Sequence, residues 1–132
     1  MGKLFLASLP AALLAACTVV PAPDSTPAEP QGAAVALGQS VRVGEVTVTP
    51  VAVVEDSRCP INVRCVWAGR LVVRTQIDGR DAQGTWSLKR NLELGKSETV
   101  VDRIFALVSG EPGKTAERET RPEEYRFTYE AR

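Results

Sequence analysis

The order of apolar and polar positions divides the chain into two unlike parts. From Ala33 onward, short runs rich in Val, Thr, Ile and aromatic residues alternate with polar ones between Gly, Asp and Pro, and no stretch keeps a helical period. This pattern predicts an all-β domain. Val41-Arg42-Val43 and Val46-Thr47-Val48-Thr49 flank Gly44-Glu45, a two-residue gap that suits a tight hairpin with positive φ at its first position. Beyond Pro50 the apolar residues Val51 and Val53 change parity, and proline cannot donate to a central ladder, so Pro50 reads as a bulge or sheet corner.

A strand from about Val66 to Asp78 places Trp67, Leu71, Val73, Thr75 and Ile77 on one face and Arg70, Arg74 and Gln76 on the other. The segment from Asp78 to Gly84 reads as its hairpin loop, because Arg80 stands where a calcium loop needs an oxygen ligand. Trp86, Leu88, Leu92 and Leu94 form the next inward set, and Val100 to Val108 supplies a strand pair or one long bent strand. Ser109 to Glu124 carries Gly110, Pro112, Gly113 and Pro122 and reads as a flexible polar loop, after which Tyr125, Phe127 and Tyr129 alternate with Arg126, Thr128 and Glu130. The expected architecture is a small β-sandwich or partly open barrel of about six to eight antiparallel strands.

The other part precedes Ala33. Met1-Gly2-Lys3 gives a short positive start, and the apolar run from Leu4 to Leu14 is too short to span a bilayer but suits a signal-peptide core. It ends in Leu14-Ala15-Ala16-Cys17, which resembles the lipobox of bacterial lipoproteins. That resemblance implies a signal peptide over residues 1–16, cleavage before Cys17 and acylation of Cys17 by chains such as palmitate. The alternatives are an ordinary signal peptide cut after Ala16 or a buried apolar helix. Each buried methylene contributes about 0.8 kcal/mol, and two chains suffice for stable anchoring to a lipid bilayer. In lipoproteins an aspartate after the acylated cysteine commonly retains the protein at the inner membrane. Thr18 stands there instead, which implies the outer membrane, facing the periplasm.

Residues 17–32 contain Pro21, Pro23, Pro27 and Pro30 among small and polar residues, and read as the lipidated cysteine and a tether. At about 3.1 Å per residue such a tether reaches roughly 45 Å from the lipid surface. Residues 33–132 form the expected periplasmic domain.

Charge and composition narrow the chemistry. The sixteen basic residues match the sixteen acidic ones, and without a polybasic tail nucleic acid is not an expected partner. The chain has no histidine, which removes the commonest general base near neutral pH and the commonest transition-metal ligand. Neither a metal, a cofactor nor a catalytic set is expected. Glu55-Asp56, Glu123-Glu124 and Ser57 are the only suggestive local groups, and adjacent strand residues point to opposite faces.

With Cys17 assigned to lipid, Cys59 and Cys65 remain as a pair in an oxidising compartment, and a disulfide is expected between them. A redox-active pair is the alternative, although the spacing is not C-x-x-C. The residues Asp56-Ser57-Arg58-Cys59-Pro60, then Cys65-Val66-Trp67-Ala68-Gly69, followed by a strand, resemble a DSRCP-x4-CVWAG motif of small bacterial envelope lipoproteins of uncharacterised function. The resemblance spans most of residues 38–130 and carries no established activity. On the structural reading Trp67 packs inward against the disulfide, Gly69 permits a bulge, and Asp56 with Ser57 caps the loop. On the functional reading the stapled loop, with Arg58, Ile61, Asn62, Val63 and Arg64, is a rigid recognition surface that loses little entropy on binding.

Between residues 58 and 90, Arg58, Arg64, Arg70, Arg74, Arg80, Lys89 and Arg90 face only Asp78 and Asp81, so an anion-preferring face is a further expectation. The leading functional expectation is a non-catalytic binding module for an envelope protein or an anionic envelope polymer. The alternatives are a carboxylate hydrolase, and an inhibitor of an envelope-attacking protease or lysozyme.

Overall fold

A computed structural model describes residues 26–132. Cys17, the expected signal segment and most of the expected tether lie outside the described residues. The domain is all-β, with the strands β1 (Val41–Val43), β2 (Val46–Asp56), β3 (Leu71–Asp81), β4 (Gly84–Glu93), β5 (Ser97–Val100), β6 (Arg103–Glu111) and β7 (Arg126–Ala131). A single 3-10 turn, Pro122–Glu124, precedes β7. One antiparallel sheet has the order β1-β2-β3-β4 and the other β5-β6-β7, so the domain is a two-sheet sandwich rather than a closed barrel.

The strands form where the side-chain period of two supplies one apolar face. Val41, Val43, Val46, Val48, Leu71, Val73, Ile77 and Leu92 from the larger sheet meet Val100, Phe105, Leu107, Phe127 and Tyr129 from the smaller one in a single core. Tyr125 and Phe127 stack with ring centroids 5.5 Å apart. Thr75 is fully buried in this core, and its hydroxyl lies 3.1 Å from the Tyr129 hydroxyl, so each polar group has a partner.

Several turns follow from named residues. Gly44 takes φ +62° in the hairpin between β1 and β2, where Val43 pairs with Val46. Pro50 marks a register shift, since Pro50 pairs with Thr75 and Ala52 with Arg74, leaving Val51 bulged and exposed. A second shift follows between Val53 and Glu55.

Two stretches of chain cross between the sheets. On one side Glu29 pairs with Val41 of β1, and Val35 exchanges both backbone hydrogen bonds with Phe127 of β7, each 2.9 Å. On the other, Leu94 donates to the Leu71 carbonyl and Gly95 to that of Leu107. The first of these crossings begins at Glu29, ahead of the domain start expected at Ala33.

Two expectations need correction. The third strand begins at Leu71, not near Val66, and Trp67 is 62% exposed rather than packed inward. The stretch from Ser109 to Glu124 is no free loop: β6 continues to Glu111, and the residues after it are tied to the cysteine loop as described below.

Candidate functional site

The most distinctive surface lies between β2 and β3, where the chain leaves the sheet for residues 57–70. Its neck is closed by the Ser57 amide donating to the Arg70 carbonyl at 2.8 Å, while the Arg70 amide donates to Ser57 Oγ at 3.0 Å. Ser57 Oγ donates in turn to Glu55 Oε1. Ser57 thus caps the loop as expected. Gly69 sits at φ +65° against the backbone of Ser57 and Arg58, where a Cβ would collide with the Ser57 carbonyl. Glycine is required at this position for both reasons, conformation and contact. Its role is close approach at the neck rather than a ladder bulge, since the register shifts of β2 lie elsewhere.

Cys59 and Cys65 form a disulfide across the loop, with their Cα atoms 5.8 Å apart. Arg58 builds a second fastening. Its Nε and Nη2 donate to the two oxygens of Asp56 at 2.8 and 2.9 Å, Nη1 donates to the Gly110 carbonyl at 2.6 Å, and Nη2 also reaches the Pro112 carbonyl. Tyr125 Oη donates to Asp56 Oδ2 at 2.8 Å. Burial acts to raise the Asp56 pKa, but the Arg58 fork and the Tyr125 hydroxyl outweigh it, and the carboxyl lies below its ordinary value. The same burial, with Asp56 alongside, pushes Tyr125 up to about 12.

The far side of the loop is tied to residues 114–117. The Ile61 amide donates to the Lys114 carbonyl, Lys114 Nζ donates to the Asp56 carbonyl, and Asn62 accepts from the Ala116 amide while donating to Glu117. Arg58 is therefore an internal fastener, whereas Asn62 ties the loop to residues 116 and 117 while staying on the exposed surface where it was expected. Arg58 keeps only 16% of its side chain exposed, and its planar fork is committed to Asp56 and to carbonyls.

What the fastened loop presents outward is apolar. Ile61 is 76% exposed, Val63 44%, Val66 98% and Trp67 62%, with Arg64 exposed between them and in no ion pair among the described residues. A large aromatic residue and three aliphatic ones are thus exposed within seven positions of one fastened loop. Ile61, Val63 and Arg64 were expected here, whereas Val66 and Trp67 were not. The signal that could have found them is Gly69, since a left-handed residue resets the parity of everything before it.

The other expected groups do not converge. Arg70 pairs with Glu55 at 2.8 Å and approaches Glu93, and the bond from Arg70, with that from Ser57, lowers the Glu55 pKa. Glu124 is held at about 2 by Arg118 and the Arg121 amide. Arg74 and Lys89 lie on the outer face of the larger sheet, away from the loop, while Arg80 lies at the opposite end. Among the described residues, no group of three His, Cys, Asp or Glu side chains is placed to hold a metal ion.

Comparisons with known protein families, with curated proteins and with solved structures give no match to this chain. The described residues are a small β-domain of two antiparallel sheets clipped by one disulfide.

Proposed function

We propose that the chain is an outer-membrane lipoprotein, anchored through acylated Cys17, whose periplasmic domain is a non-catalytic binding module with the tip of the disulfide loop as its recognition surface. The observation that carries the reading is the exposed set Ile61, Val63, Val66 and Trp67 on a loop held by a disulfide, the Arg58 fork and the Asn62 contacts. A binding surface gains affinity when its aromatic anchor is presented without an ordering cost. Apolar exposure of this kind favours an envelope protein over an anionic polymer as the partner.

The carboxylates weigh against hydrolysis. Glu55, Asp56 and Glu124 are ion-paired with lowered pKa values, whereas a general acid needs a raised one. A second reading, inhibition of an envelope-attacking protease or lysozyme, draws on the exposed Arg64 of the same stapled loop, which has no ion-pair partner among the described residues.

A photo-crosslinking residue at position 66 in living cells tests the proposal, with one at Ser87 as the control. A discrete adduct from position 66 that disappears in a Trp67→Ala background supports it. Equal adducts from both positions, or turnover of a substrate by the purified protein, would reject it. Intact-mass analysis tests the anchor: lipid on Cys17 is expected, and an unacylated chain still fractionating with membranes as Cys17→Ser would overturn that part.

A further inference from the structure

Two open antiparallel sheets have four edges, and the chain treats them unequally. The β1 edge is met by Glu29, whose amide donates to the Ser40 carbonyl and whose carbonyl accepts from the Arg42 amide. The β7 edge is met by Val35 at Phe127. The β5 edge is only 4 residues long. β4 is the exception, an edge of 10 residues that is paired on one side alone among the described residues. It contains no proline, and its ladder with β3 runs without a register shift, whereas β2 has two. A long straight edge is a template for another strand, and folded proteins ordinarily shorten, bulge or cover it.

The register fixes which groups are open. Leu94 donates to the Leu71 carbonyl, and the alternation of an antiparallel ladder then turns the backbone groups of Trp86, Leu88, Arg90 and Leu92 toward β3. Those of Thr85, Ser87, Lys89 and Asn91 face away from β3, and all four residues are exposed. Of these groups the Lys89 carbonyl accepts from the neighbouring Arg90 guanidinium, which leaves it a second lone pair. Side chains follow the same alternation. Trp86 and Leu88 pack half-buried at the margin of the core, while Ser87 and Lys89 lie on the outer face of the sheet.

We infer that β4 pairs antiparallel with β4 of a second copy of this chain, about a two-fold axis at Leu88, joining the two larger sheets into one. Charge and strand length select that register. An axis at Lys89 sets lysine against lysine and an axis at Arg90 sets arginine against arginine, both unfavourable across a ladder. An axis at Ser87 brings Asn91 opposite Gln83, which lies beyond the start of β4. With the axis at Leu88, Ser87 of each copy lies opposite Lys89 of the other and Thr85 opposite Asn91, so no like charges meet. Leu88 then faces Leu88 on the core side, and each covers an apolar side chain that the single domain leaves half open. About eight backbone hydrogen bonds form, and both free edges close in one isologous contact. This self-complementarity favours a second copy over an unrelated extended segment. A single strand pair falls under the roughly 1,000 Å² of a stable interface, so the dimer is weak and concentration-dependent. The inference rests on the sheet edges and is independent of the cysteine loop.

A photo-crosslinking residue at Thr85 of the full chain, in living cells, provides the test. The expected adduct has twice the mass of the chain. The same residue at Ser87 should give it too, and mass tells it from an adduct of position 66 with another protein. With the crosslinker at Thr85, Ser87→Lys opposes Lys89 twice per dimer and should lower the yield about tenfold. Adding Lys89→Glu to Ser87→Lys should restore the yield to that of the parent or above. Asp78, opposite position 87 in the same chain, faces a lysine in both variants, and both positions are exposed. No adduct, or an adduct with a different protein, overturns the inference. Parent-like yield from Ser87→Lys, or a double variant that stays as low as the single one, overturns it as well.

Discussion

Replacing Arg58 by alanine tests whether the cysteine loop is held from within. The substitution removes both prongs of the fork on Asp56 and two bonds to the carbonyls of Gly110 and Pro112. Removing one partner of a fully buried ion pair costs about 3–5 kcal/mol. Here the two side chains keep 16% and 9% of their surface exposed, and Tyr125 still satisfies one Asp56 oxygen, so the cost falls to about 2–3 kcal/mol. For a domain of this size that lowers the melting temperature by roughly 10–20 °C. Arg58→Lys keeps the charge but offers no planar fork, and should recover less than half of the loss. Urea unfolding of Arg58→Ala, Asp56→Asn and the double variant measures the coupling, expected at about 1.5 kcal/mol or more. A loss under about 0.5 kcal/mol for Arg58→Ala, the range of ordinary surface changes, would refute the reasoning.

Three further outcomes are expected. Gly69→Ala should destabilise by about 3 kcal/mol or more, since a left-handed backbone costs about 1–2 kcal/mol and the collision with the Ser57 carbonyl breaks the neck; a normal urea midpoint would contradict this. Val101 and Asp102 both have positive φ, +48° and +59°, in the turn between β5 and β6, so Val101→Asn with Asp102→Gly should raise stability by about 1 kcal/mol in thermal melts. Asp56 lies below its ordinary 3.8 in the folded state, so the unfolded chain takes up the proton first. Its stability contribution is complete above about pH 5 and is lost as pH falls below the ordinary value toward the folded one. Asp56→Asn should flatten that acid limb, and a parent profile level down to pH 3 would exclude it.

Much of the scaffold was legible because it is written in local alternation. The Gly44 hairpin, the irregularity at Pro50 and the inward Tyr125, Phe127 and Tyr129 depend only on near neighbours and fixed side-chain period. Trp67 misled because its parity with Leu71 counts only if the strand is continuous, and Ala68-Gly69 interrupts it with a left-handed residue. The fasteners were illegible for another reason. Arg58 meets Gly110 across 52 residues and Asn62 meets Glu117 across 55, and no pattern near either residue encodes such a partner.

The crossing from Glu29 to Val35 has a mechanical consequence. If the domain hangs from the membrane by residues ahead of it, any force between anchor and partner enters the fold at Glu29. The two bonds there, from the Glu29 amide to Ser40 and from the Arg42 amide to Glu29, carry the load first, then the bond from the Gly44 amide to Gln31 Oε1, and after it the pair between Val35 and Phe127. The outer pair can peel while the inner one still holds the two sheets together, lengthening the tether under tension before the core is disturbed. Under that anchoring, the edge of the domain would serve as a short extensible lead.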